Sequence, residues 1–172
     1  MPVVFIGIGS NLGDRGSFFR CAAREIPQET GACDLKCSPV YETEPVDGAG
    51  PPLYWNAVWS FTTALEPQVL LEKLHGIEAH AGRRRKVPCE ARVLDLDILF
   101  YGDRVIKQTA LTIPHPRIPE RAFVLVPFCD LAPEFVHPEL RQSMRQLLGA
   151  YRERQGGVPG VRRLPERETW HR

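Results

Sequence analysis

The sequence contains no apolar run approaching the roughly 18 residues of a membrane-crossing helix, so no such span is expected. Met1-Pro2-Val3-Val4-Phe5 has no basic leader and no small-residue cleavage site, so no signal peptide is expected. There is no G-x-x-x-x-G-K-[S/T] phosphate loop and no protein-kinase catalytic loop. Gly7-Ile8-Gly9-Ser10-Asn11-Leu12-Gly13 has one residue too many for the dinucleotide fingerprint G-x-G-x-x-G. Cysteine is scarce: five residues, an odd number, with no C-x-x-C. That argues against a disulfide framework or a zinc cluster and points to a reducing cytoplasmic home, with the thiols acting as small hydrophobes. The net charge is only +1, so the strongly basic surface of a general nucleic-acid binder is missing.

What is present is ordinary for a globular protein: 172 residues, 43% hydrophobic and 25% charged. That length gives one domain and enough core to fold without a metal or a disulfide. The charge is split. Residues 141–172 hold eight arginines against three glutamates, a net of +5, while the rest of the chain is at −4. Residues 1–150 therefore read as the functional domain. Residues 151–172 read as a basic, Gly/Pro/Arg-rich extension lying in solvent.

Hydrophobic patterning predicts α+β architecture with a largely antiparallel sheet. Val3–Ile8 reads as a buried strand, followed by turn residues Gly9–Asp14 and a helix from about Gly16 to Pro27. Leu35–Thr43 reads as a strand broken at Pro39. Glu44–Leu53 is a Pro/Gly-rich loop, Tyr54–Thr63 a strand, and Pro67–Ala81 a helix with its apolar stripe on Leu70, Leu71, Leu74, Ile77 and Ala81. Val93–Tyr101 reads as a strand that turns at Gly102-Asp103 into a hairpin partner, Arg104–Ile106. Pro119–Cys129 fits helix or strand. A last helix is marked by Leu140, Met144, Leu147, Leu148 and Tyr151.

The sharpest chemical signal is Leu94-Asp95-Leu96-Asp97-Ile98-Leu99-Phe100. On a strand, Asp95 and Asp97 share one face and Leu94, Leu96, Ile98 and Phe100 the other. Strands disfavour Asp, and two carboxylates on one face repel unless a cation lies between them. They can hold a magnesium pair, or they can be a solvated strand face. Directly upstream lie Arg83, Arg84, Arg85, Lys86 and Arg92. An arginine run alone is more often a solvated face. Beside two carboxylates it suits a polyphosphate, with metal on one side and guanidinium groups on the other. Tyr54 and Asn56 alternate onto one strand face, and Phe123 follows Arg121. Such rings are usually core, but they can also stack a flat heterocycle. His115 sits in a Pro-rigid turn, Ile113-Pro114-His115-Pro116-Arg117.

Those segments, in order over residues 3–149, resemble the 6-hydroxymethyl-7,8-dihydropterin pyrophosphokinases of folate biosynthesis. The resemblance is carried by Gly9-Ser10-Asn11-Leu12-Gly13-Asp14, Tyr41-Glu42-Thr43-Glu44-Pro45-Val46, Tyr54-Trp55-Asn56, Arg92-Val93-Leu94-Asp95-Leu96-Asp97-Ile98 and Ile113-Pro114-His115-Pro116-Arg117 followed by Arg121-Ala122-Phe123. It implies a ferredoxin-like fold and transfer of pyrophosphate from ATP to the pterin hydroxymethyl group, leaving AMP. It also implies two Mg2+ ions on Asp95 and Asp97. Thr43, Glu44, Pro45, Val46, Tyr54, Asn56 and Phe123 would hold the pterin. His75, Glu78, Arg83, Arg85, Arg92, Ile98, Thr112, His115 and Arg121 would bind ATP, and Arg83, Arg85 and Arg92 would act with the two aspartates in catalysis. Protein partners, nucleic acid and membrane are not implied. The segment Val87-Pro88-Cys89-Glu90-Ala91 departs from the family pattern by lacking a bulky aromatic, which implies a less well ordered lid. On the residues alone two other readings compete: a magnesium-dependent phosphohydrolase acting on nucleotides, and an RNA-binding module on a ferredoxin-like sheet. The acidic body and the lack of an RNA-stacking motif weigh against the latter.

Overall fold

A computed structural model describes residues 1–45, 52–82 and 93–165. The chain forms β1 (Val3–Ser10), α1 (Arg15–Thr30), β2 (Cys33–Cys37), β3 (Tyr41–Thr43), β4 (Tyr54–Thr62), α2 (Pro67–His80), β5 (Asp95–Tyr101), β6 (Ile106–Lys107), β7 (Thr112–Ile113), α3 (Ala122–Leu131), α4 (Met144–Gln155) and β8 (Val161–Arg163). The main sheet runs β5-β1-β4-β3-β8, with β2 also paired to β4, and every pairing is antiparallel. The βαββαβ order with β1 in the middle is the expected ferredoxin-like arrangement, with the second strand broken in two at Ser38-Pro39-Val40. Among the described residues no helix is long and apolar enough to cross a membrane.

Period-two alternation gives the sheet two buried faces. Val4, Ile6 and Ile8 of β1 point to α1 and α2, where they meet Phe19, Ile26, Leu70, Leu74 and Ile77. Phe5, Val58 and Leu99 point to α3 and α4 and pack on Val124, Leu125, Phe128 and Leu147. The α2 stripe of Leu70, Leu74 and Ile77 is fully buried, and Pro67 opens that helix as expected.

Four local expectations are corrected. Helix α1 does not stop at Pro27. It runs to Thr30, because Ile26 and Thr30 are buried and the Thr30 hydroxyl donates to the Ile26 carbonyl at 2.6 Å, and it ends at Gly31 with φ 61°. Phe100 does not share the face of Leu96 and Ile98: the register shifts so that Phe5 pairs with Phe100 and Ile6 with Ile98, and this bulge at Leu99 turns Phe100 toward α3.

The Gly102-Asp103 turn does not make a hairpin on β5. Its far side, β6, pairs with β7, and the outer edge of β5 is taken by Glu78, which accepts from Leu96 N–H, and by His115, whose N–H donates to the Leu99 carbonyl. The C-terminal stretch is not merely solvated extension. Helix α4, with a capping box on Ser143 and Gln146, crosses residue 150, and β8 then pairs with β3 and delivers Leu164 into the core at 4% exposure. The undecided segment Pro119–Cys129 contributes α3.

Candidate active site

The central strand carries no side chain where the two carboxylates stand. On the α3 side of β1 lie Gly7 and Gly9, and the register pairs Gly9 with both Asn56 of β4 and Asp95 of β5, and Gly7 with Val58 and Asp97. A Cβ on Gly9 would sit 3.0 Å from Asn56 Oδ1 and 4.0 Å from Asp95 Cβ. Gly9 thus floors a shallow trough with the Asn56 amide on one side and the Asp95 carboxylate on the other, while the space over Gly7 is filled by the Leu99 side chain. Glycine inside a strand marks this kind of close approach.

The amide wall is fixed. Asn56 is 7% exposed, and its Nδ2 donates to Thr43 Oγ1 at 2.7 Å. Its acceptor oxygen therefore stays directed over Gly9. Alternation along β4 puts Tyr54 on the same face as Asn56. Glu44 is exposed and Pro45 half-buried just past β3.

The carboxylate wall is half-open. Asp95 and Asp97 are both partly exposed, and Asp97 Oδ2 lies 3.9 Å from Arg121 Nη1. Among the described residues no group of three or more His, Cys, Asp or Glu side chains is placed to hold a metal. Two carboxylates are nonetheless the donor set that suits Mg2+, which keeps several waters and takes its remaining oxygens from substrate phosphates. Ser10 at the end of β1 holds this wall in place by donating to the Val93 carbonyl at 2.6 Å.

Arg121 stands beside Asp97, and His115 stands beside Arg121 within reach of the Asp95 charge. Burial, with the Arg121 charge adding to it, pushes the imidazole down to about 4, so the ring is neutral near pH 7. Its Nδ1 accepts from Arg117 N–H at 3.2 Å, which places the ring proton on Nε2, 3.5 Å from Arg121 Nη1. Two donors therefore meet next to the acids, an arrangement an anionic oxygen completes. The Arg121 guanidinium also lies 5.4 Å over the Phe123 ring, so one residue links the acids to the aromatic at the start of α3.

The remaining expected residues divide. His75 is half-buried on α2, and Glu78 is 2% exposed with Oε1 on Leu96 N–H at 2.8 Å. The Ile98 side chain is in the core on the α1/α2 face, away from the acids. Since Leu96 N–H turns outward, alternation turns the Ile98 amide and carbonyl outward too, so only its main chain can meet a ligand there. Thr112 is exposed on β7, which packs against β5. Arg83, Arg85, Arg92 and Val46, and the divergent 87–91 segment, lie outside the described residues. Sequence reasoning missed Gly9 and Ser10 by treating them as turn; the signal was a Gly-x-Gly inside a β-rich run.

A family model described as 7,8-dihydro-6-hydroxymethylpterin-pyrophosphokinase matches residues 5–133. The "Folic acid synthesis protein fol1" of Pneumocystis carinii is 42% identical over 135 residues, covering 78% of this chain and 18% of that protein. Its Schizosaccharomyces pombe namesake is matched over 20% of its length, so the chain spans about a fifth of these fungal relatives. The 2-amino-4-hydroxy-6-hydroxymethyldihydropteridine pyrophosphokinase of Pseudomonas aeruginosa is 34% identical over 162 residues, covering 94% of this chain and 96% of that one. The fold is shared with the HPPK-DHPS crystal structure from Plasmodium falciparum with pteroate, at a TM-score of 0.73 and 15% identity over 94% of this chain and 45% of that one. Sequence motifs, trough geometry and relatives converge: the chain belongs to the 7,8-dihydro-6-hydroxymethylpterin-pyrophosphokinase family.

Proposed function

We propose that this chain transfers the terminal pyrophosphoryl group of ATP to the hydroxymethyl oxygen of 6-hydroxymethyl-7,8-dihydropterin, leaving AMP. The observation that carries this reading is the glycine floor between Asn56 and Asp95. It sets a hydrogen-bonding edge for a flat heterocycle across from a pair of carboxylates suited to Mg2+ on a triphosphate.

Thr43 and Asn56 read the edge of the pterin, and Tyr54 and Phe123 flank its faces. The hydroxyl oxygen forms a bond to the β-phosphorus, the bond from that phosphorus to the oxygen bridging to the α-phosphate breaks, and the hydroxyl proton is lost. Asp95 and Asp97 would hold two Mg2+ ions, which when bound neutralise phosphate oxygens and lower the hydroxyl pKa. Neutral His115, through Nε2–H, and Arg121 donate to phosphate oxygens. Arg83, Arg85 and Arg92 are assigned to the same phosphates, His75, Glu78, Thr112 and the Ile98 main chain to the nucleoside side, and Glu44, Pro45 and Val46 to the pterin side. Most of the rate gain is positioning and charge neutralisation, because phosphoryl transfer asks little covalent chemistry of the protein. The described cysteines Cys21, Cys33, Cys37 and Cys129 are free thiols, which fits a reducing cytosol.

The test is incubation with ATP, Mg2+ and the pterin. AMP formation only when the pterin is present is the expected result. Phosphate or pyrophosphate release from ATP alone, with no dependence on the pterin, would instead establish a phosphohydrolase.

A further inference from the structure

On the α1 side of the sheet, behind Thr43 and Asn56, Glu42 is held between two arginines from distant parts of the chain. Arg15 Nη1, at the start of α1, donates to Glu42 Oε1 at 3.3 Å, and Arg162 Nη2, on β8, donates to Glu42 Oε2 at 2.7 Å. The same Arg15 Nη1 also donates to the Leu53 carbonyl at 2.9 Å, and its guanidinium stacks 4.6 Å over the Trp55 ring. The carboxylate side chain is only 14% exposed, so it is partly shielded from solvent and from salt. The Arg162 hydrogen bond, with both guanidinium charges, holds its pKa below the usual carboxylate range.

The covalent neighbours of these groups are the proposed pterin readers. Glu42 precedes Thr43, and Leu53 precedes Tyr54. Strand β3 has only three residues, too few to hold register firmly through one neighbour. Here it has two, β4 on one side and β8 on the other, with Thr43 opposite both Tyr54 and Val161. The Glu44 amide adds a bond to the Gly160 carbonyl at 3.3 Å. Residues 156–165 lie beyond the stretch that matches the family model, which ends at 133.

We propose that the Arg15–Glu42–Arg162 clamp, with β8 as its anchor, positions Thr43 and Tyr54 for the pterin, so that the C-terminal strand is a positioning element for this one substrate. The proposal rests on the pterin-reading assignment above. None of the three clamp residues touches the trough. They act through the backbone of β3 and of the chain entering β4, and the residues assigned to ATP that flank β5, Glu78, His115 and Arg121, stand across β1 from them. The clamp should therefore be felt in pterin binding and not in nucleotide binding.

The experiment compares full-length wild type with Arg162→Ala, Glu42→Gln and the double variant. It measures KM for each substrate, kcat, Tm, and direct binding of the pterin by fluorescence titration. Loss of an ion pair that joins an exposed guanidinium to a shielded carboxylate and sets register should raise the pterin KM about fivefold, with ATP KM and kcat within about twofold. The double variant should be no worse than the poorer single variant, since both break one unit. Arg162→Lys, which keeps the charge, should recover most of the loss. A fall in Tm with unchanged KM values would make the clamp purely structural and overturn the proposal, as would equal rises in both KM values or additive single effects. A variant that does not fold is replaced by Arg15→Lys, which weakens the stack on Trp55 and the bond to Leu53 and must show the same split. A wild-type chain that fails to bind the pterin at all would overturn the substrate assignment rather than the clamp alone.

Discussion

The acceptor oxygen of Asn56 stands 3.0 Å from the point a Gly9 Cβ would occupy. That is tighter than nine in ten real Cβ contacts, so the amide must give by a few tenths of an ångström, which pulls on its 2.7 Å bond to Thr43 Oγ1. Gly9→Ala is therefore expected to displace the amide and raise the pterin KM about tenfold or more, a loss of at least 1.4 kcal/mol of binding. The fold should survive, because β1 keeps its pairing on both sides. Steady-state kinetics with each substrate varied in turn checks this; an unchanged pterin KM would remove Asn56 from the recognition edge.

Glu78 makes a separate prediction about stability. It is 2% exposed, and its Oε1 satisfies Leu96 N–H on the outer edge of β5, one residue from each aspartate. Glu78→Ala leaves that buried donor unmatched and is expected to cost about 1–3 kcal/mol. That corresponds to a Tm drop of roughly 2–4 °C per kcal/mol for a chain of this size. Glu78→Gln keeps an acceptor oxygen and should lose less than half as much. Calorimetry on the two variants separates them, and equal losses would show that the charge, not the hydrogen bond, is what β5 uses.

His115 predicts the direction of a pH effect. Its folded pKa, about 4, lies below the ordinary 6.5, chiefly through burial. Protonation therefore favours the unfolded chain. The stabilisation is complete above pH 6.5 and is lost progressively as pH falls toward 4, for a total on the order of 3 kcal/mol. His137 adds to the same slope. It is 4% exposed, burial lowers its pKa, and its Nδ1 accepts from the amides of Glu139 and Leu140. Urea midpoints at pH 7 and pH 4.5 should differ markedly in wild type and less in His115→Gln.

The strands and helices that bear the site were largely legible because their patterns are local. Val3–Ile8, Tyr54–Thr63 and the Leu70, Leu74, Ile77 stripe each declare their period within one element, and Asp95 and Asp97 follow from strand alternation alone. What failed depended on partners far along the chain. The bulge at Leu99 is set by pairing with β1, and nothing in Ile98-Leu99-Phe100 encodes it. The Gly102-Asp103 turn had a good hairpin signal, but the edge it would have used was occupied by Glu78 and His115. Arg162 looked like part of a solvated basic stretch because its partner, Glu42, is 120 residues away. Gly9 was hidden for a different reason: its function is to have no side chain.

Asp95 and Asp97 holding two divalent ions against a triphosphate is the claim on which the reaction depends, and Mn2+ can report it directly. Electron paramagnetic resonance titration of Mn2+ with a nonhydrolysable ATP analogue and the pterin should count two bound ions in wild type. Asp97→Ala should keep the wild-type Tm to within a few degrees, since this carboxylate is 43% exposed and its contact with Arg121 is long. It should lose at least one ion and fall to background turnover. An Asp97→Ala protein that still binds two ions, or still forms AMP at the wild-type rate, would contradict the assignment of these carboxylates as the metal site.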